Sequence, residues 1–321
     1  MEETQQTQAA PASYDAKDIQ VLAGLSAVRK LINTVDLYHK IKRKGDLLSL
    51  SNELRIKPRT LALAKDEGRI LHYFPDLDKS KASVLSRLKT NRELQLFSKN
   101  YDIYSCSART LLKLVLLWNL SVQENPMRFI SQEEHDIIVG GLFGDASIRQ
   151  RDRNSCLRFS HSPNQEKYIN WKAEILDNFE TSEFRLVQKK IQNRFHNLIA
   201  FSTKTHPVFN YYRRLFYENN KKRINAEALK QLNSRSLAVW ICDDGSFSRR
   251  QNYIILCTNS FNLEEHYLMK RFFAERFGVS PTIGFRDQKY YYLRFRKEDS
   301  KKLIEVVRPF IPDCMKYKIG D

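Results

Sequence analysis

Two stretches decide how this chain folds: His135-Asp136-Ile137-Ile138-Val139-Gly140-Gly141-Leu142-Phe143-Gly144-Asp145 and Leu237-Ala238-Val239-Trp240-Ile241-Cys242-Asp243-Asp244-Gly245. Each is apolar nearly all round until it ends in acid, and a helix that is hydrophobic on every side belongs in a core. Gly140 and Gly144 are four residues apart, hence on one helix face, and a glycine inside a helix costs about 1 kcal/mol relative to alanine. Two of them call for a packing reason, which is the close approach of a second helix, and the second stretch supplies it. Side by side, the two helices bring Asp145 and Asp244 together at their C-terminal ends. Carboxylates at the negative ends of two helix dipoles repel each other. A divalent cation that prefers oxygen ligands, Mg²⁺ above all, offsets that repulsion. Either turn alone reads as an ordinary helix stop; the pair, at matching places, reads as a site.

The places match because residues 131–321 carry a faint internal repeat. In the first copy, a helix over 132–144 precedes strands over 147–151 and 156–161. A helix over 165–179 follows, with Tyr168, Trp171, Ile175 and Phe179 inward. Strands over 184–190 and 194–202 and a helix over 207–218 complete it. In the second copy, a helix over 236–244 precedes strands over 246–250 and 253–258. Its middle helix, 263–277, has Leu268, Phe272 and Phe277 inward. Strands over 281–286 and 290–296 lead to a helix over 299–307. Duplicated units of this size point to a pseudo-twofold single chain, as if a dimer had been fused.

Period two sorts the strand residues. Arg149 and Arg151 share a face, with Arg153 just beyond; Arg158 alternates with Leu157 and Phe159. Arg185 and Lys189 share a face with Val187, and Arg249 and Arg250 occupy the corresponding place in the second copy. Tyr290, Tyr292, Arg294 and Arg296 lie on one side of the last strand, Tyr291, Leu293 and Phe295 on the other. Any one strand could be a plain solvated face. The recurrence of arginine in both copies suggests a sheet surface that follows a major groove.

Composition agrees with a polyanionic partner. The 321 residues include 54 Lys+Arg against 37 Asp+Glu, a net charge of +17, and both the first 130 residues (net +7) and the rest (net +10) are basic. Hydrophobic residues at 42% exclude a disordered chain. The most apolar stretch, Leu111–Trp118, is far short of the roughly 18–20 residues that span a bilayer. Residues 1–18 have neither a basic n-region nor an Arg-rich transit pattern, so no secretory signal is expected. Five scattered cysteines without CxxC or zinc spacing suggest free thiols in the cytoplasm or an organelle interior.

Before residue 130 the rhythm is helical. Residues 1–16 read as a flexible tail and 17–129 as a helical region. Leu47, Leu50 and Leu54 share one side of a first helix. Ile56 and Lys57 make a turn, and Pro58 opens a second helix that runs through Leu61 and ends near Gly68. This is either a helix-turn-helix presenting Arg59 and Lys65 to a major groove or a plain helical hairpin. Leu111, Leu114, Leu117 and Trp118 read as a core helix.

Ile138–Ala146 (IVGGLFGDA) and Leu237–Gly245 (LAVWICDDG) resemble the two motifs of monomeric, double-motif LAGLIDADG homing endonucleases, which are often intron-encoded. The stretches LRFSHSPNQEKYINWKAEIL, CTNSFNLEEHYLMKRFFAERFGV, ENNKKRIN and PFIPDCMKYKIG are also family-like, so the resemblance covers about residues 131–320. It implies an α+β fold of two pseudo-symmetric αββαββα repeats, about 131–225 and 234–318 within a domain over 130–321, whose sheets form a DNA-binding saddle. It implies Asp145 and Asp244 as catalytic acids holding Mg²⁺ or another divalent cation. Lys222 and Lys318 are the implied catalytic lysines, with Lys221 and Lys316 as alternative placements. Asp243 is expected to support its helix end. Phe143, Cys242 and Ala146 depart from the family consensus without removing an acid.

The expected activity is a staggered, metal-dependent double-strand cut at a long, partly palindromic DNA target by a monomer. Two alternatives stand beside it: an RNA maturase acting on its host intron, and a DNA-binding regulator on a decayed nuclease scaffold. A pure binder has no need of adjacent acids against a polyanion, which favours the nuclease.

Overall fold

The computed structural model describes Arg29 and residues 32–42, 44–191 and 194–321. The expected tail and the start of the helical region lie outside the described residues. The chain divides into two compact units, one reaching residue 88 and including 97–116, the other comprising 89–96 and 117–321.

The first unit begins with helices α1 (Thr34–Lys40), α2 (Lys44–Leu54) and α3 (Pro58–Tyr73), followed by α4 (Lys79–Leu85). Helices α5 (Asn91–Asn100) and α6 (Ala108–Glu124) both contain the division between the units. Leu37, Ile41, Ile56, Leu61 and Ala64 form a buried cluster, with Leu47, Leu50 and Leu54 packed against it. The second helix runs past Gly68 to Tyr73, longer than its glycine suggested. A Cβ at Gly68 would lie 1.7 Å from the Thr34 carbonyl oxygen, so this glycine serves the crossing of α1 over α3 and ends nothing. On α6 the buried positions are Leu111, Val115, Trp118 and Val122, whereas Leu117 is 59% exposed, which corrects its assignment to a core face.

The second unit contains the two repeats. The first runs α7 (Gln132–Phe143), β1 (Ser147–Gln150), β2 (Ser155–His161), α8 (Glu166–Ile175), β3 (Arg185–Ile191), β4 (Arg194–Ser202) and α9 (Val208–Phe216). A two-residue hairpin, β5 (Tyr217–Glu218) with β6 (Lys221–Lys222), and a short helix, α10 (Ala226–Lys230), lead to the second. That repeat runs α11 (Ser234–Asp244), β7 (Gly245–Ser248), β8 (Tyr253–Leu256), α12 (Leu263–Phe277), β9 (Thr282–Arg286), β10 (Tyr290–Phe295) and α13 (Lys297–Val307). Both are αββαββα, and the sheets have matching antiparallel orders, β1-β2-β4-β3 and β7-β8-β10-β9. Among the described residues no helix is long and apolar enough to cross a membrane.

Each sheet buries one face. Leu157, Phe159, Phe201, Leu256, Leu293 and Phe295 are buried on the helix side. The middle helices match the expected faces only in part. On α8 the buried residues are Tyr168, Ile169, Lys172 and Ala173, with Trp171 and Ile175 only half-buried. On α12 they are Glu265, His266, Met269 and Phe273, and Leu268 is exposed. Aromatic spacing therefore placed Tyr168 and Phe179 inward, where both are buried, but misplaced Trp171, Ile175 and Leu268, because polar residues with buried partners take part of each face.

Candidate active site

The two motif helices start from side-chain caps. Ser131 and Glu134 form a reciprocal capping box on α7, and Asn233 and Ser236 form one on α11. Asp136 accepts from Asn233 Nδ2 at 2.7 Å, tying the two starts together. Along the seam, a Cβ at Gly140 would stand 2.2 Å from the Ser236 carbonyl oxygen, and one at Gly144 would stand 2.5 Å from Asp243 Cβ. The glycine spacing thus has the packing reason that its helical cost demanded.

At the C-terminal ends, each motif acid is bracketed by one lysine. Lys222 Nζ donates to the carbonyls of Gly144 (2.8 Å) and Ala146 (2.7 Å), the residues on either side of Asp145. Lys318 Nζ donates to Gly245 O at 2.8 Å and reaches Asp243 O at 3.5 Å, the residues on either side of Asp244. A cation at a helix C-terminus is favourable by itself, and here the same device occurs in both repeats. Lys221 is exposed and Lys316 pairs with Asp313, so neither takes this position.

The hairpin that delivers Lys222 turns through Asn219 and Asn220, both in the left-handed region (φ 49° and 62°), as a tight hairpin turn requires. The expected helix over 207–218 gives way to it after Phe216.

The carboxylates are poised against ionising. Burial, and then the nearby Asp243 carboxylate, push Asp145 up to about 6. Burial, and then the charge of Asp145, raise Asp244 well above the usual carboxylate range; Trp240 Nε1 donates to Asp244 Oδ2 at 3.3 Å. Burial also lowers Lys222 to about 8. Two neighbouring acids that each resist carrying charge fit a cation held between them.

Asp243 belongs to a different arrangement. Its Oδ1 accepts from Lys172 Nζ (2.6 Å) and Tyr168 OH (2.8 Å), and its Oδ2 accepts from the Asp145 backbone N–H (3.2 Å). Burial is the strongest influence on its pKa and raises it, but the Lys172 charge and the other groups around it together hold it low. Burial and the same ammonium lower His161 to about 3, so its ring is neutral. Lys172 donates to His161 Nε2 at 3.1 Å. The proton of the ring therefore sits on Nδ1, 3.6 Å from Asp145 Oδ2. Asp145, His161 and Asp243 are the described His, Cys, Asp or Glu residues whose ligand atoms cluster within 4.8 Å. With Asp243 neutralised by Lys172, that trio is a poor cation site, and Asp145 with Asp244 remains the better one.

The strand registers put Arg149, Arg158, Arg185 and Lys189 on the sheet face away from the helices, with Arg158 half-buried and the others exposed. Tyr290, Tyr292 and Arg294 share the equivalent face of the second sheet, where Arg294 lies 4.3 Å over the Tyr253 ring. Arg286, opposite Tyr290, joins them and was missed by the sequence reading. Arg151 and Arg153 are exposed past the end of β1. Arg249 and Arg250 lie in the turn after β7, since that strand ends at Ser248, and Arg296 is the N-cap position of α13.

A family model described as the LAGLIDADG DNA endonuclease family matches residues 135–303, more than half the chain. The chain belongs to that family. As a LAGLIDADG protein, it is 26% identical over 201 residues to the cytochrome b mRNA maturase bI2 of Debaryomyces hansenii, covering 60% of this chain and 75% of the maturase. It is 25% identical over 211 residues to the DNA endonuclease I-ChuI of Chlamydomonas applanata, covering 60% of this chain and 96% of that one. The chain spans only 47% of the RecA protein of Mycolicibacterium flavescens that it also matches. The solved structure of the homing endonuclease I-WcaI bound to its DNA recognition sequence has the same fold, with a TM-score of 0.54 at 24% identity over 59% of this chain and 87% of that one.

Proposed function

We propose that this LAGLIDADG chain is a site-specific endonuclease. It hydrolyses one phosphodiester on each strand of a duplex and leaves a staggered double-strand cut at a long, partly palindromic target. The observation that carries the reading is the duplicated acid-and-lysine arrangement, Asp145 with Lys222 and Asp244 with Lys318. A binding surface for a polyanion gains nothing from two adjacent acids, whereas hydrolysis of two strands needs one reaction centre for each.

Asp145 and Asp244 would hold Mg²⁺ or another divalent cation, which when bound supplies Lewis acidity toward phosphate and a more acidic water. The protein residues do the rest. Lys222 and Lys318 place positive charge beside each acid, where negative charge grows on a phosphoryl group in the transition state. Arg149, Arg151, Arg153, Arg158, Arg185, Lys189, Arg249, Arg250, Arg294 and Arg296, with Tyr290 and Tyr292, meet the duplex. Phosphate contacts set position, and arginine contacts to guanine edges set sequence. The two repeats differ in these residues, so the two half-sites differ as well.

The test is cleavage of a randomised duplex library with Mg²⁺ by wild type, Asp145→Asn and Asp244→Asn. Staggered cuts at one long motif, lost in both variants, are expected. Tight binding without cutting would replace the nuclease with a regulator. The Debaryomyces maturase relative motivates a second reading, assistance to intron RNA. Folded protein that neither binds nor cuts duplex but retains structured RNA would establish that one instead.

A further inference from the structure

The first unit carries basic side chains on a helix face that its own core leaves open. Helices α2 and α3 are joined by three residues, Arg55-Ile56-Lys57. Ile56 is buried in the three-helix cluster, and Ser51 fastens the turn: its Oγ donates to Ile56 O at 2.6 Å while its carbonyl accepts from Ile56 N–H at 3.1 Å. Arg55 sits at φ 52°, a left-handed conformation that disfavours side chains and that glycine adopts freely. On α3, Leu61, Ala64 and Gly68 face the cluster. The opposite face presents Arg59, Ala62, Leu63 and Asp66, of which Arg59 and Leu63 are exposed, as are Arg55 and Lys57 in the turn. Lys65, expected to accompany Arg59, is half-buried beside the core face.

We propose that this turn and the first two turns of α3 form a second duplex-DNA-binding surface, with α3 laid in a major groove. The chemistry fits that occupant. A short turn between two helices lets the second protrude into a groove wide enough to admit a helix. Arg55, Lys57 and Arg59 supply positive charge for phosphates and guanine edges, and Leu63 supplies an apolar contact of the kind thymine methyl groups accept. Asp66 sets the far limit of the surface, because its carboxylate repels phosphate. The deep, narrow major groove of A-form RNA does not admit such a helix, which favours DNA. An arginine at the turn position best suited to glycine adds to the case: the protein keeps a cation where the backbone alone would do better without one.

The test uses the full chain with a random-sequence duplex and a chelator, so that no cutting intervenes. Affinity is read by fluorescence anisotropy across a salt series. Combining Arg55→Gly, Lys57→Ala and Arg59→Ala is expected to weaken binding at least about ten-fold and to reduce the salt slope by about 2–3, near 0.9 per lost phosphate contact. Arg55→Gly alone is expected to keep or raise the melting temperature while weakening binding, which separates contact from folding. A control triple variant at the exposed Lys79, Lys99 and Lys113 is expected to change the slope little. The proposal is overturned if the first triple variant matches wild type or the control, if wild type does not bind duplex, or if the loss appears with hairpin RNA and not with duplex. Nothing in it rests on cleavage: a chain that binds through this face and never cuts would retire the endonuclease and leave the surface standing.

Discussion

The two halves of the candidate active site share a plan but not the residues around it. Before its terminal acid, the first motif has Gly144 and the second has Asp243. That carboxylate does not stay in its own half. It reaches across the seam to the Asp145 backbone N–H and is met by Lys172 and Tyr168, both from the first repeat. Asp244 instead receives the indole N–H of Trp240, four residues earlier on its own helix. The corresponding residue of the first motif is Gly141, where a Cβ would stand 2.5 Å from the Phe159 ring. A duplicated scaffold has thus acquired a buried charge pair on one side only, so equal acids stand in unequal surroundings.

The sharpest test of the shared plan is removal of the acids. Asp145→Asn and Asp244→Asn should each lower double-strand cleavage about a thousand-fold or more, measured on a supercoiled plasmid carrying the target. If one variant cuts normally, the halves are not equivalent in chemistry.

Next comes the asymmetry itself. Asp243→Asn leaves the Lys172 ammonium buried without its counter-charge, which should cost about 3–5 kcal/mol of stability, read from denaturant unfolding with the chain otherwise unchanged. A loss below about 1 kcal/mol would mean that His161 and Tyr168 hold Lys172 without help, leaving the halves alike in energy if not in sequence.

The lysines separate the strands. Lys222→Met and Lys318→Met should each slow cutting of one strand by about 100-fold, so that nicked plasmid accumulates. Equal slowing of both strands by either variant would break the assignment of one centre per strand.

The smallest effect concerns pH. A carboxylate whose folded pKa is raised stabilises the fold only below its unfolded value, and that contribution is lost as pH rises through the folded pKa. For Asp145 the loss runs from the ordinary range up to about 6; for Asp244 it continues higher. Without divalent cations, Asp244→Asn should therefore raise the melting temperature at pH 8 by roughly 2–4 °C and flatten its decline with pH. A lower melting temperature would show that the buried charge has a partner within the protein.

Much of this was legible in the sequence. Strand parity placed Arg149, Arg158, Arg185 and Arg294 on the open sheet faces, and the paired motifs placed Asp145 beside Asp244. Period two also put His161 on the inner face with Leu157 and Phe159, a signal present but not followed. The expected helix runs on to Glu218 and takes in the first strand of the hairpin that turns at Asn219-Asn220, which hides the reason Lys222 rather than Lys221 reaches Gly144. Lys172 was beyond reach: a lysine is buried only with a counter-charge, and its partner Asp243 lies 71 residues away. Pattern reading finds faces, whereas pairs that exist only in three dimensions leave no period behind.

The seam at Gly140 has one more consequence, for how such a molecule can diversify. With the Ser236 carbonyl where a methyl group would have to go, the join tolerates no gradual change. A half borrowed from a relative would have to bring both mating surfaces with it. The open sheet faces carry no such restriction, since their exposed side chains can be rewritten singly without disturbing the core. The protein is in this sense a fixed chassis with an editable tread: its open sheet faces could drift freely while the spacing between its two acids could not.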